Sequence, residues 1–204
     1  IAAEGVINDR IQDRQRMLNI SWAPSSNFCE LLTISGQQGT RLRATVSEFG
    51  PVLLSRILGL NETQESVIAL VFKYADDRKL LLLDLEDLKT VLQYITNEGK
   101  EEIQKNFGSV SPATVGTIFR KVIELEQQGA ATFFGERSFE VDDLMRIADD
   151  GRGMISVLRV TDLQDKPKLF STFMLQLLAE VYSIFPEEGD VDQPKLVIFI
   201  DEAH

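Results

Sequence analysis

The chain has 204 residues with 21 basic and 32 acidic side chains, a formal net charge of −11, and 44% hydrophobic against 26% charged residues. That composition is ordinary for a globular protein and excludes a chain disordered throughout, a collagen-like repeat and a disulfide scaffold. The charge deficit is −4 over residues 1–102 and −7 over 103–204, so neither half is a basic arm with the broad electrostatic footprint of a nucleic-acid binder.

In chain order, residues 5–20 read as a helix, with Val6, Ile7, Ile11 and Leu18 near one face and Asp, Arg and Gln opposite. Trp22-Ala-Pro-Ser-Ser breaks it. Cys29 to Ile34, CELLTI, has the length and apolarity of a strand and is closed by Ser35-Gly36 and a polar QQG turn. From about Arg43 to Leu144 the pattern is helical. Thr45 and Glu48 form a capping box that starts a helix through Leu58, with Pro51 near its first turns. Gly59-Leu-Asn61 ends it, and Glu62 to Tyr74 follows with Val67, Leu70, Val71 and Tyr74 as its stripe. Asp84 caps a helix over Leu85 to Ile95; Ser111-Pro112 starts another that runs to about Gln128 and stops at Gly129. Met154 to Val160 is strand-like, and Lys168 to Ile184 is a long amphipathic helix. Leu196 to Ile200 is an apolar run of the kind buried on both faces of a parallel sheet. Strand, helix and strand then close the chain as a βαβ unit.

These elements give the expected architecture: α/β, a partial parallel sheet with a mainly helical insertion. Residues 1–42 would begin a truncated α/β core, 43–150 would be the insertion, and 151–204 would return to the core. The chain lacks an initiator Met and stops just after a hydrophobic strand, so both ends are expected to be cuts through something longer. Cys29 is the only cysteine, which fits a reducing compartment and a cytoplasmic location. No apolar run approaches the roughly 18 residues of a membrane span, and no signal-peptide order is visible.

The sharpest motif is LVIFIDEAH at 196–204. A hydrophobic strand ending in Asp-Glu is the Walker B pattern. It would deliver two carboxylates to the carboxyl edge of the sheet, where open α/β folds bind ligands. Asp201 would hold Mg²⁺, through a water because that ion keeps much of its hydration shell. Glu202 would orient or polarise the water that attacks the γ-phosphate of ATP. A buried strand that merely meets acidic solvent at its end gives the same pattern, and the motif alone does not choose between the two. The phosphate-binding loop G-x-x-x-x-G-K-[ST] is missing: the single Gly-Lys pair, Gly99-Lys100, is followed by Glu101 and has Tyr94 five residues before it. This chain alone is therefore not expected to bind ATP tightly.

Other chemistries have less to work with. His204 is the only histidine, so zinc clusters built on His cannot form and a Ser-His-Asp set would depend on it alone. Cys29 reads as a small buried hydrophobe, and Phe133-Phe134 as packing. Asp76-Asp77, Asp142-Asp143 and Asp149-Asp150 read as solvated caps and turns. Arg41, Arg43, Arg120, Arg152 and Arg159 include candidates for a trans-acting finger, though each reads first as an ordinary salt-bridging residue.

Four segments carry a resemblance: RLRATVSEFGPVLLSRILGLNETQ at 41–64, KLLLLDLEDLKTVLQYI at 79–95, SPATVGTIFRKVIELEQQGAATFFGE at 111–136 and PKLVIFIDEAH at 194–204. Together they resemble the HerA-like (YjgR-like) family of bacterial ATPases, P-loop proteins of the HerA/FtsK group. The resemblance covers nearly the whole chain. It implies a Walker A loop before the region matching residue 1, a Walker B pair at Asp201 and Glu202, and ATP and Mg²⁺ as cofactors. It also implies self-association into a ring, typically a hexamer, and a motor acting on DNA, for which the acidic balance of this segment offers no support. The other reading of the same residues is a non-enzymatic interaction or oligomerisation module built on the helical region.

Overall fold

Most helix boundaries follow from local chemistry. The Asn8 side chain accepts from the Ile11 amide to start α1 (Asp9–Leu18). Thr45 and Glu48 close a reciprocal capping box at α2 (Val46–Leu58), and Asn61 and Gln64 do the same at α3 (Glu62–Arg78). Asp84 accepts from two amides to open α4 (Leu85–Tyr94). Then come α5 (Lys100–Phe107), α6 (Pro112–Gln127), the short α7 (Ala130–Phe133) and α8 (Pro167–Ile184), with proline at the first position of α6 and α8. Pro51 disfavours the α conformation in the residue before it. Gly50 accordingly sits at φ 73° and ψ 167° and kinks α2, a conformation open to glycine alone. The computed structural model describes residues 2–163, 165–185, 189 and 192–200.

Three parallel strands form the sheet: β1 (Cys29–Thr33), β2 (Thr40–Arg41) and β3 (Ile155–Arg159), in the order β2-β1-β3. β1 pairs with β3 from Cys29 opposite Ile155 to Thr33 opposite Arg159, and with β2 at Leu32–Thr40 and Thr33–Arg41. Parallel neighbours usually need a crossover of about a dozen residues or more. Here β2 touches only the last two residues of β1, so the short loop 34–39 suffices. It passes so close that a Cβ on Gly39 would lie 2.7 Å from the Leu31 carbonyl oxygen.

The helices α2 to α7 lie between β2 and β3 in sequence, yet one hydrophobic core runs through everything. Leu32 and Ile34 from the sheet, Leu54 and Leu58 from α2, Ile68 and Val71 from α3, Leu88 and Leu92 from α4, Ile118 and Val122 from α6, and Phe173 from α8 all belong to it. Phe133 and Phe134 are 0% and 1% exposed. Their rings meet edge-on at 5.2 Å, Phe134 meets Phe49 at 5.4 Å, and Phe133 meets Phe173 of α8 at 6.1 Å. They fill the joint between the helical segment and α8. The Arg137 guanidinium lies 3.1 Å from Glu48 and 4.0 Å from Glu180, linking α2 to α8 on the polar side of that joint.

The expected first helix forms as α1 but packs little: none of its residues is fully buried, Ile11 is half-covered, and Met17 and Leu18 are exposed. One expectation fails near the other end. Leu196–Ile200 belongs to no strand, and Val197, Ile198, Phe199 and Ile200 are 56, 42, 91 and 53% exposed. The β-branched run has the composition of a strand, but a strand exists only through its ladder and its neighbours. β1 is paired on both sides, while β3 has one partner among the described residues.

A pH effect arises in the helical segment. The Tyr74 and Tyr94 rings stack at 5.7 Å, and the Tyr94 hydroxyl lies 3.2 Å from Glu102. The hydrogen bond with Tyr74, then desolvation, then Glu102 push the Tyr94 phenol from 10.0 up to about 12. The folded protein thus keeps a proton that the unfolded chain releases. This contribution to stability is complete below pH 10 and is lost as pH rises through about 12. Urea midpoints across that window should fall less in Tyr94→Phe than in the parent; equal slopes would refute the assignment.

Candidate functional site

The parallel strands all end on one edge, and the turns there are polar. On the last rung Arg41, Thr33 and Arg159 lie abreast, two arginines flanking a buried threonine. Past it, the Ser35 amide donates to Thr33 Oγ1 at 3.1 Å, and the Gln37 amide donates to Ser35 Oγ at 3.4 Å, curling the chain back toward β3. The turn after β3 closes with the Leu163 amide on the Val160 carbonyl at 3.0 Å. Gln37 Nε2 donates to Thr161 Oγ1 at 2.8 Å, and Arg159 Nη1 donates to the Gln38 carbonyl at 3.3 Å. The two turns are thereby held as one surface.

Two acceptors in this surface have no donor. Gln37 Oε1 and Asp162 Oδ1 are shielded from solvent and accept no hydrogen bond. The Arg159 guanidinium, held on the Gln38 carbonyl, puts one fixed positive charge on this surface. Among the described residues no group of three or more His, Cys, Asp and Glu side chains could cage a bare metal ion.

Asp201, Glu202 and His204 lie outside the described residues. The five candidate arginines separate. Arg41 and Arg159 are at the carboxyl edge. Arg152 lies near the opposite edge, bonded to Asp150 at 2.7 Å and to the Ser26 carbonyl at 2.8 Å, its guanidinium 5.9 Å from the Phe28 ring centre. The hydrogen bonds from Arg152 hold the Asp150 carboxyl below its usual range. Arg43 donates to the Thr132 carbonyl at 3.4 Å, and Arg120 to Thr117 within α6 at 3.0 Å. Of the acidic pairs, Asp143 caps the 3-10 turn Val141–Met145 and Asp150 accepts from the Arg152 amide in a turn, whereas Asp76-Asp77 lie inside α3, where Asp77 pairs with Lys73 one turn before it. Gly99-Lys100 is a helix–helix junction, with the Gly99 amide on the Tyr94 carbonyl at 2.9 Å. Cys29 is half-buried in β1.

Sequence reading passed over Gln37, Thr161 and Asp162. Their one visible signal is that the polar stretches SGQQG and TDLQD each follow a strand directly, the position at which α/β folds place ligand-binding loops.

An α/β chain whose parallel strands finish in polar turns on a shared edge, with helices packed about them, is consistent with part of a P-loop-like domain. The particular family is shown by its sequence model: the one described as Helicase HerA-like C-terminal matches residues 1–204, and the chain belongs to that family. No curated protein and no solved structure matches it. Among the described residues no helix is long and apolar enough to cross a membrane.

Proposed function

We propose that this chain supplies the Walker B strand of an ATP-hydrolysing motor, and that the phosphate-binding loop comes from another part of the same natural polypeptide. The observation that carries this reading is LVIFIDEAH in a chain that belongs to the HerA-like helicase family. Residues 1–42 and 151–204 are the parts of the ATPase core, and 43–150 the helical insertion.

In this reading Asp201 holds the hydrated Mg²⁺ of Mg·ATP, which supplies charge neutralisation at the phosphates. Glu202 orients the attacking water and takes its proton. Arg41 and Arg159 on the last rung at the carboxyl edge support this reading, as guanidinium groups suit phosphate. The motor works as a ring, typically a hexamer, and DNA is its substrate only if basic surface from outside this chain supplies the contact.

The 204 residues alone lack the loop that cradles phosphates, so they bind Mg·ATP weakly and do not turn it over. Calorimetry on this polypeptide should show no micromolar binding; a micromolar isotherm would contradict the division of labour. The natural polypeptide should hydrolyse ATP. Absence of turnover there, with or without DNA, would remove the motor reading and leave the helical segment as an interaction module.

A further inference from the structure

Two uncovered surfaces of this chain match each other in charge. One is the outer face of α1. Ile11 and Gln15 on its inner side are half-covered, and the other side is open to solvent. At 3.6 residues per turn, Met17 sits at the middle of that open side, with Asp9 and Asp13 along one flank and Arg10 and Arg14 along the other. Met17 is 75% exposed. Asp13 holds Arg16 at 3.2 Å, whereas Arg10 and Arg14 enter no ion pair among the described residues. A helix of ten residues is marginal in water without packing, so α1 is stabilised by any surface that receives it.

The other surface is a groove of about 620 Å³ between α2 and α3. Val52, Ser55 and Ala69 give it a lining of small and apolar groups. Arg56 stands on its α2 wall, and Glu62 and Glu65 stand on its α3 wall. All three charged residues are exposed, and none enters an ion pair among the described residues. No residue of α1 lines the groove in its own chain.

The match is one of sign and spacing. Arg10 and Arg14 are four positions apart and Glu62 and Glu65 three, and both separations place side chains about 5–6 Å apart on one helix face. A helix seated with its arginines toward Glu62 and Glu65 turns Asp9 and Asp13 toward Arg56. Met17 then meets the small-residue lining between the walls. The opposite seating brings like charges together on both walls, so charge also fixes the direction of the helix.

We propose that α1 of one copy docks in the α2–α3 groove of a second copy. The occupant is a second copy because every chain presents both halves of the match at separate places. Such a contact joins unlike surfaces head to tail, and with closure it builds a ring. It assigns a contact to the ring of the motor reading above and rests on that reading for closure, while the pairing itself is tested without nucleotide.

The test is sedimentation velocity on the natural full-length polypeptide over a range of concentrations. The parent should associate, and added salt should weaken the association because the paired charges are exposed. Arg10→Glu with Arg14→Glu sets like charges against the α3 wall, and Glu62→Arg with Glu65→Arg does so from the groove. Each double variant should associate at least about tenfold more weakly than the parent. An equimolar mixture of the two should recover parent-like association, since the helix of each then matches the groove of the other. That recovery also guards against misfolding of either variant. A parent that stays monomeric overturns the proposal, as it would if α1 seated in the groove of its own chain. Parent-like association in either double variant overturns it by placing the contact elsewhere, and so does a mixture of folded variants that fails to recover. ATP turnover is measured apart: a parent that associates as described but never hydrolyses ATP loses the motor reading and keeps this contact.

Discussion

Glu202→Gln in the natural polypeptide is expected to stop ATP turnover while leaving ATP binding near the parent level. The substitution keeps shape and hydrogen-bonding reach but removes the oxygen that accepts a proton from the attacking water. A positioned acid–base group contributes about 10²–10⁴-fold, so kcat should fall by at least two orders of magnitude. Asp201→Asn acts elsewhere: it weakens the hold on the hydrated metal and so shows itself first in Mg²⁺-dependent binding. Steady-state kinetics and nucleotide binding on the same two variants separate the roles. Full turnover in Glu202→Gln would end the role assigned to it.

Phe133→Ala is expected to be the most damaging change outside the chemistry. The ring is 0% exposed and is bracketed by Phe134 at 5.2 Å and Phe173 at 6.1 Å, both edge-on. Emptying such a site costs about 3–5 kcal/mol through lost burial and the cavity left behind, and the lost ring pairs add to that. Native proteins hold only about 5–15 kcal/mol in total, so the variant should unfold at much lower urea. Leu81→Ala, at a position 72% exposed, should leave the midpoint nearly unchanged. A similar midpoint shift in both would mean that the helical segment and α8 do not share the core described.

The helix starts were the most legible part of the sequence because each is written in a side chain next to the amide it satisfies. Thr45 with Glu48, Asp84, and Pro112 mark α2, α4 and α6 at the residues where the structure begins them. Elements without such chemistry went unread. α5 begins at Gly99 with no side-chain cap, α7 is four residues long, and β2 is two. α3 runs four residues past Tyr74 to Arg78, ending on Lys79 in the left-handed conformation at φ 55°. Leu196–Ile200 failed in the opposite direction: its composition is that of a strand, and no ladder accompanies it.

Of the residues proposed for function, only the Asp-Glu pair was readable from the sequence. Asp-Glu after an apolar run is a local pattern, whereas Gln37 and Thr161 are 124 residues apart and meet only because β1 and β3 pair. No window along the sequence contains both. Gln37 alone is an ordinary turn residue, and its meaning comes from register.

That register also bears on the order in which the molecule assembles. The whole run from α2 to α7 separates the two strands that make the main ladder. The entropic cost of bringing distant residues together grows with the intervening length, and contacts of high sequence separation slow folding. The helices, whose contacts are largely among themselves and start from local caps, can form and bury the Leu54, Ile68 and Leu92 side chains before β3 is in place. Docking α8 through Phe173 then brings β3 alongside β1. The edge carrying Gln37 and Asp162 is accordingly the last part of the chain to be built, and it is complete only after the helical segment has folded.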